Sequence, residues 1–359
     1  MDQHEAERRA ADKQPFVGLD LCGRTWRAAS LRGAMFRHCA LRAVDLEGAD
    51  LEGAVFEQCD LATAKLGQAH LVGATFASTR LVMSGLEGAL VAGTRWNGCD
   101  LTAAKLGQAS GKNADFTACV VDEASFAGAE LPLATFTQCR ATKVSFAGAK
   151  LERAHFAAMN VASIDLTGAA LFRVMFVGCN VGGRSFAGLS LHKAQFDRTD
   201  LAGCDFTGTL LTGASCIAAD LTGARLVRAV CHHADFRQAK LDGAELAGAD
   251  FKGTDFTGAS ARDLGAIGCD LSETCWQRAD LSGADLQQCK LDAADFSYAT
   301  LERAKLRDAS MKRTSLHAVG DAGCQYPSDK KRALPPDEAR LRAEAWYTAH
   351  RHLAEQESK

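Results

Sequence analysis

Phe36-Arg37-His38-Cys39-Ala40-Leu41-Arg42-Ala43-Val44-Asp45-Leu46-Glu47-Gly48-Ala49-Asp50-Leu51-Glu52-Gly53-Ala54-Val55-Phe56 places a large apolar residue at every fifth position and a small one two residues before it. Followed in both directions, this register runs from Phe16 to Leu316 without an insertion or deletion, which makes 61 five-residue units. Only Gly111, Ala141, Cys216, Cys231, Ala261 and Ala266 interrupt the row of large central residues. Two residues after each centre glycine is favoured, and 25 of the 33 glycines stand there. A period of five fits neither the 3.6 of a helix nor the 2 of a strand, so the chain must turn once per unit. The centre and the small residue face inward, and the remaining residues face solvent or make the corner, where glycine supplies backbone freedom. Helix is thereby excluded from 16 to 316, although the alanine content alone would favour it.

A second period is superposed on the first. Every fourth centre from Phe16 to Leu316 gives a series of 16 residues, of which 14 are aromatic, and 12 of the 18 phenylalanines lie on it. A series of small positions 20 apart is as coherent: Cys39, Cys59, Thr79, Cys99, Cys119, Cys139, Met159, Cys179, Thr199. Four units per 20-residue coil predict a roughly square solenoid, with aromatic rings stacked up one inner face and thiols beside them.

Ala49-Asp50-Leu51-Glu52-Gly53, Ala279-Asp280-Leu281-Ser282-Gly283 and Ala284-Asp285-Leu286-Gln287-Gln288 match the A(D/N)LXX unit, and the chain resembles the pentapeptide-repeat family over 301 of its 359 residues. The resemblance implies an all-β solenoid, a right-handed quadrilateral β-helix of about 15 coils. At ~4.8 Å per coil that is a rod on the order of 70 Å long. Such repeats contact mainly their neighbours and need caps. The domain reading is a polar N-terminal cap or tail at 1–15, the β-helix at 16–316, a linker at 317–335 and a C-terminal capping helix at 336–359. Pro335-Pro336-Asp337-Glu338 suits a helix start, and Leu341, Trp346, Tyr347 and Leu353 are the candidates for capping the last coil or for a dimer contact.

The charge excludes as much as the repeat implies. Lys+Arg number 41 and Asp+Glu 44, a formal charge of -3, which argues against a binder relying on a strongly basic surface. Seven charges among residues 1–15 argue against a signal peptide there. No run of 18 apolar residues suggests a membrane helix. Nine of the 14 cysteines occupy the small inward position that Ala and Thr also fill, and no C-x-x-C pair occurs, so they read as reduced packing residues of a cytoplasmic protein.

No catalytic or metal constellation emerges, and no cofactor or small-molecule substrate is implied. Gly107-Gln108-Ala109-Ser110-Gly111-Lys112-Asn113 is one residue short of a phosphate loop and ends in Asn. Cys231 points inward while His232 and His233 point out, so the three cannot share an ion.

Outward Arg27, Arg32 and Arg37 each have a glutamate 20 residues on (Glu47, Glu52, Glu57), which predicts pairing across the coil interface rather than a phosphate-binding collar. Between His155 and Gly183 only Asp165 and Arg173 are charged. Phe172, the one phenylalanine outside the central positions, stands there with outward Met175 and Val177, and this belt is the candidate protein contact. The stretch from Met159 to Leu189 is rich in large residues at small inward positions (Met159, Ile164, Val174, Arg184, Leu189), so a widened coil is expected there.

A long solenoid offers surface rather than a pocket, so the function read from it is a non-enzymatic scaffold or adaptor with a protein partner. Family resemblance offers two versions. One is an accessory of bacterial type VI secretion; the alternative is a topoisomerase (gyrase) binder that imitates duplex DNA. The solenoid's 31 basic and 33 acidic residues weigh against mimicry by net charge. Direct nucleic-acid binding is not expected. The chain would act as a monomer or as a dimer through the C-terminal helix.

Overall fold

The computed structural model describes residues 1–328 together with 333–334, 337–338, 341–342 and 345, in two compact units, Met1–Leu201 and Ala202–Lys359.

In the first unit, helix α1 (Gln3–Ala11) precedes the coils, capped by the Asp2 carboxylate accepting the Glu5 N–H at 2.8 Å. Its buried face is Ala6 and Ala10, and it satisfies backbone groups of the first coil. The Glu7 carboxylate accepts the Ser30 N–H at 3.2 Å, and the Gln3 amide donates to the Arg27 carbonyl at 3.3 Å. The segment read as a cap or a tail therefore carries a helix on the exposed end of the ladder, the kind of cover an unpaired edge needs.

Nine short parallel strands follow, from β1 (Phe16–Val17) and β2 (Met35–Arg37) to β8 (His155–Ala157) and β9 (Met175–Val177), hydrogen-bonded in chain order. Each is paired with the residue 20 positions on: Phe16 with Phe36, Phe36 with Phe56, Phe156 with Phe176. Three more rows of single bridges, typified by Asp20–Ala40, Thr25–Asp45 and Ser30–Asp50, complete four ladders per 20-residue coil. The inward centres and small residues form one continuous core, and the rings from Phe16 to Phe196 stack at centroid spacings of 4.0 to 5.7 Å.

Most corners are β-turns closed by the small residue's N–H on the centre's carbonyl, as in Ala29 to Trp26 (3.3 Å) and Ala34 to Leu31 (3.1 Å). The residue before the small one has φ near +60°, the geometry of a type II turn, and alanine, glutamine and arginine adopt it as well as glycine. Glycine at these corners is therefore a preference rather than a requirement. Gly111 is different. At its φ of +155° a Cβ would lie 2.2 Å from the Ala92 nitrogen, so the one glycine among the 61 centres is imposed by close approach of the coil before it. The phosphate-loop-like fragment is thus part of the wall. Aspartates such as Asp50, Asp220 and Asp280 accept the N–H two residues on, which gives the acidic letter of the repeat a structural task.

The aromatic corners of the first unit differ. Among its described residues, the corners following β1 to β9 lack the turn bond. At seven of these nine corners the small residue one coil later instead donates its own side chain to the aromatic's carbonyl; Cys59 bonds the Glu57 carbonyl and Met159 has no donor to offer. Cys39 reaches Phe16, Thr79 reaches Phe56, Cys99 reaches Phe76, Cys119 reaches Trp96, and Thr199 reaches Phe176, at 2.9 to 3.3 Å. The buried cysteines are donors as well as packing. All are free thiols, and burial pushes the Cys179 and Cys231 thiols up, away from the reactive thiolate form.

The second unit consists of coils joined by single bridges, with closed turns at the aromatic corners, as at Ala239 to Phe236 and Ala259 to Phe256, and the small position there is alanine rather than cysteine. Its ring stack runs Phe236, Phe256, Trp276, Phe296. Bridges from Thr300 to Gly320 and Lys305 to Gln325 carry the ladder past Leu316, so the stretch read as a linker from 317 begins as further coil. The central residues there, Asp321 and Tyr326, are not core aliphatics, which hid the continuation. Leu334 then bridges Ser315, and Glu338, Leu341, Arg342 and Ala345 are helical. Leu341 is exposed; Trp346, Tyr347 and Leu353 lie outside the described residues. Among the described residues no helix is long and apolar enough to cross a membrane.

Candidate protein interface

The regular ladder of the first unit fails at Ala141 and Lys143, whose amides make no bond to the Asn160 and Ala162 carbonyls, and over a longer stretch one coil on. In the preceding coil, the amides of Phe146, Gly148 and Leu151 donate to the carbonyls of Asp165, Thr167 and Ala170. Their counterparts one coil on, Leu166, Gly168 and Leu171, make no such bonds to Ser185, Ala187 and Ser190, nor do the Ser185 and Ser190 amides reach Ile164 and Ala169. The bridges expected at Asp165–Ser185 and Ala170–Ser190 are likewise missing, and pairing resumes at Arg173 to His192.

Side-chain volume explains the break. Ile164 and Arg184 occupy inward small positions stacked one coil apart, and Leu189 stands over Ala169, where alanine is the usual occupant. Overpacking of this kind forces backbone shifts. Arg184 is 8% exposed, and its Nη1 donates to the Val161 carbonyl at 2.7 Å and the Ile164 carbonyl at 2.5 Å. The guanidinium so replaces the Ser185 amide at Ile164. Its carbon also lies 5.2 Å from the centre of the Phe186 ring.

A polar pocket of about 330 Å³ opens at this break, lined among others by Ile164, Asp165, Thr167, Arg184, Ser185 and Leu189. Side-chain and backbone hydrogen bonds from Thr167 hold the Asp165 carboxyl below its usual range, with Ser145 and the Arg184 charge adding to the effect. Beside the break stand the residues singled out in the sequence. Phe172 is 44% exposed with the Arg173 guanidinium 5.3 Å from its ring centre, and Val177 is 49% exposed. Met175, expected to point outward, is half-buried in β9, where it pairs with His155. Sequence reasoning flagged Arg184 as oversized but did not see it as part of a site; an arginine in an alanine position was the available signal.

The three predicted cross-coil pairs form. Arg27 reaches Glu47 at 2.5 Å, Arg32 reaches Glu52 at 2.8 Å and Arg37 reaches Glu57 at 3.1 Å. In the second unit Arg237 holds Asp235 at 2.6 Å, and Lys290 holds Asp270 at 3.2 Å. His232 pairs with Asp250 at 2.7 Å while Cys231 is fully buried, so these neighbours do not converge. Among the described residues no three His, Cys, Asp or Glu side chains are placed to hold a metal ion.

Four parallel ladders per 20-residue coil, closed by five-residue turns around an aromatic stack, define a repeat solenoid that presents surface. The chain belongs to the pentapeptide-repeat family: the pentapeptide repeat model of eight copies matches residues 16–53, 39–76, 190–228, 229–263, 267–302 and 277–313, and the pentapeptide repeat region model matches 109–186. No curated protein matches the chain. Among solved structures, the chain is similar to QnrB1, a plasmid-mediated fluoroquinolone resistance protein, at 18% identity over 62% of this chain and 94% of that one, with a TM-score of 0.25. HetL, a pentapeptide repeat protein of heterocyst differentiation regulation from the cyanobacterium Nostoc sp., matches at 24% identity over 94% and 98%, TM-score 0.16. A pentapeptide repeat protein of the Arabidopsis thaliana thylakoid lumen matches at 28% identity over 31% and 66%, TM-score 0.15.

Proposed function

We propose that this chain is a non-enzymatic, protein-binding pentapeptide-repeat protein that engages its partner through the charge-poor belt around Phe172 and Val177. The observation that carries the reading is the exposure of both side chains on the stretch from His155 to Gly183, where Asp165 and Arg173 are the only charges. The four ladders per coil support the finer description of a quadrilateral β-helix, and family membership supports a right-handed one.

Of the two specific versions, the comparisons give the secretion-accessory reading no support. The topoisomerase-binding alternative is the one we carry forward, on family grounds. Stacked carboxylates at Asp235–Asp255 and Asp250–Asp270 supply like charges at the coil spacing. Their pairing with Arg237 and Lys290 argues that shape and the apolar belt contribute more than net charge. The test is affinity capture of the tagged chain from nuclease-treated native lysate, with Phe172→Asp as control. Enrichment of topoisomerase subunits, lost in the variant, is the expected result. Capture that is identical for the two proteins would remove the belt from the mechanism, and enrichment of secretion components would reverse the choice between the two versions.

A further inference from the structure

The interrupted ladder carries an inference of its own. In every intact coil of the first unit, a centre amide and the amide two residues on donate to two carbonyls two residues apart on the neighbouring strand, as Phe146 and Gly148 do to Asp165 and Thr167. Leu166 and Gly168 hold the same places in the backbone and have no such carbonyls. Leu166 is buried and lines the pocket, while Gly168 is exposed beside it; buried backbone donors are paired in folded proteins almost without exception, so the amide left open at Leu166 is one prepared for a ligand. The pattern it reads together with the Gly168 amide is carbonyls at i and i+2 of an extended chain running parallel to residues 166–168.

The pocket's chemistry narrows the occupant. Asp165 places a carboxylate in its wall, which opposes phosphate or another anion, and the Arg184 Nη1 that would otherwise attract one is committed to the Val161 and Ile164 carbonyls. Thr167 and Ser185 are exposed hydroxyl donors and acceptors suited to neutral amides. Leu189, only half-buried, offers apolar contact to a side chain. The volume of about 330 Å³ suits a short segment rather than a folded domain.

We propose that the break between residues 163–171 and 182–190 docks an extended peptide segment by strand addition, and that Arg184 is the wedge that keeps it open. This is the recognition mode in which main-chain bonds give affinity and side-chain pockets give selectivity. It rests on the protein-binding reading above. A partner held at the Phe172 belt alone, however, would leave the following experiment negative while the capture experiment succeeded.

The probe is a random dodecapeptide library displayed against the full-length chain, followed by hydrogen exchange with single-amide resolution on the selected peptides. Selected peptides are expected to slow exchange at Leu166, Gly168 and Leu171 by at least ~10-fold, leaving Phe146 and Gly148 unchanged. In the free Arg184→Ala chain the coil closes, so these amides are protected without peptide and affinity falls by ~10-fold or more. Should that variant fail to fold, Leu189→Ala, which also reduces the wedge volume, replaces it. The proposal is overturned if no peptide is selected, if selected peptides protect other segments, or if they bind the closed variant as tightly as the parent.

Discussion

Replacing Phe136 by alanine and, separately, Phe296 by alanine compares two fully buried rings that differ in company. Phe136 has four ring neighbours: Phe116 at 4.8 Å and Phe156 at 5.2 Å in the stack, with Phe126 at 5.6 Å and Phe146 at 5.2 Å meeting it edge-on. Phe296 has one among the described residues, Trp276 at 6.2 Å. Truncating a buried phenylalanine costs about 3–5 kcal/mol through lost transfer energy and the cavity left behind. Ring pairs add about 0.5–1.5 kcal/mol each beyond burial. Phe136→Ala should therefore fall near the upper end of that range and Phe296→Ala near the lower, at least about 1.5 kcal/mol apart. A solenoid need not unfold in one step, so a single denaturation midpoint would blur the two. Native-state hydrogen exchange on the full chain, read over residues 115–157 and 276–316, reports each locally. Costs equal within about 0.5 kcal/mol would refute the claim that ring geometry matters beyond burial. A Phe136→Ala cost below about 2 kcal/mol would refute the burial itself.

Thr94→Val removes the hydroxyl that accepts the Trp96 indole N–H at 3.0 Å, and should cost about 1–3 kcal/mol by leaving a buried donor unpaired; Thr274→Val beneath Trp276 should do the same, measured by local exchange. In a native thiol titration Cys22 should react first and the 11 buried cysteines only after denaturant is added; more than about three fast thiols would contradict the packing. Hydrogen bonds from Thr222 and Thr167 depress the Asp220 and Asp165 carboxyls below their unfolded values, so the unfolded chain binds more protons as the medium is acidified. Their contribution to stability is then complete above about pH 5 and lost as pH falls through ~4 and below; a thermal midpoint insensitive to pH between ~5 and ~3 would contradict it.

The inward and outward assignment was legible because a strict period of five leaves a residue no choice of side. Arg27 and Glu47 could be paired on paper for the same reason: residues 20 apart are neighbours in every coil. What the period does not report is the backbone between side chains. That the aromatic corners forgo a turn bond, and that Cys99 or Thr79 donates to the Phe76 or Phe56 carbonyl, depends on where a peptide plane points. The break at Leu166 was half visible. Arg184 announced a volume misfit, yet a misfit can as well tilt a side chain as remove ladder bonds, and here it removes them. At the other end, Asp321 and Tyr326 concealed coils that the backbone nonetheless makes.

The ladder bonds join residues 19 or 21 apart, as in Leu21 to Ala40 and Ala40 to Leu19. That fixes the currency in which such a gene can change length. Losing one residue would turn the core outward downstream of the loss. Losing five would keep the core inward but move every later face a quarter of a circuit, setting phenylalanines above leucines and thiols above alanines. Only multiples of twenty leave each residue above its proper neighbour, so the lineage of this chain should lengthen or shorten by whole circuits.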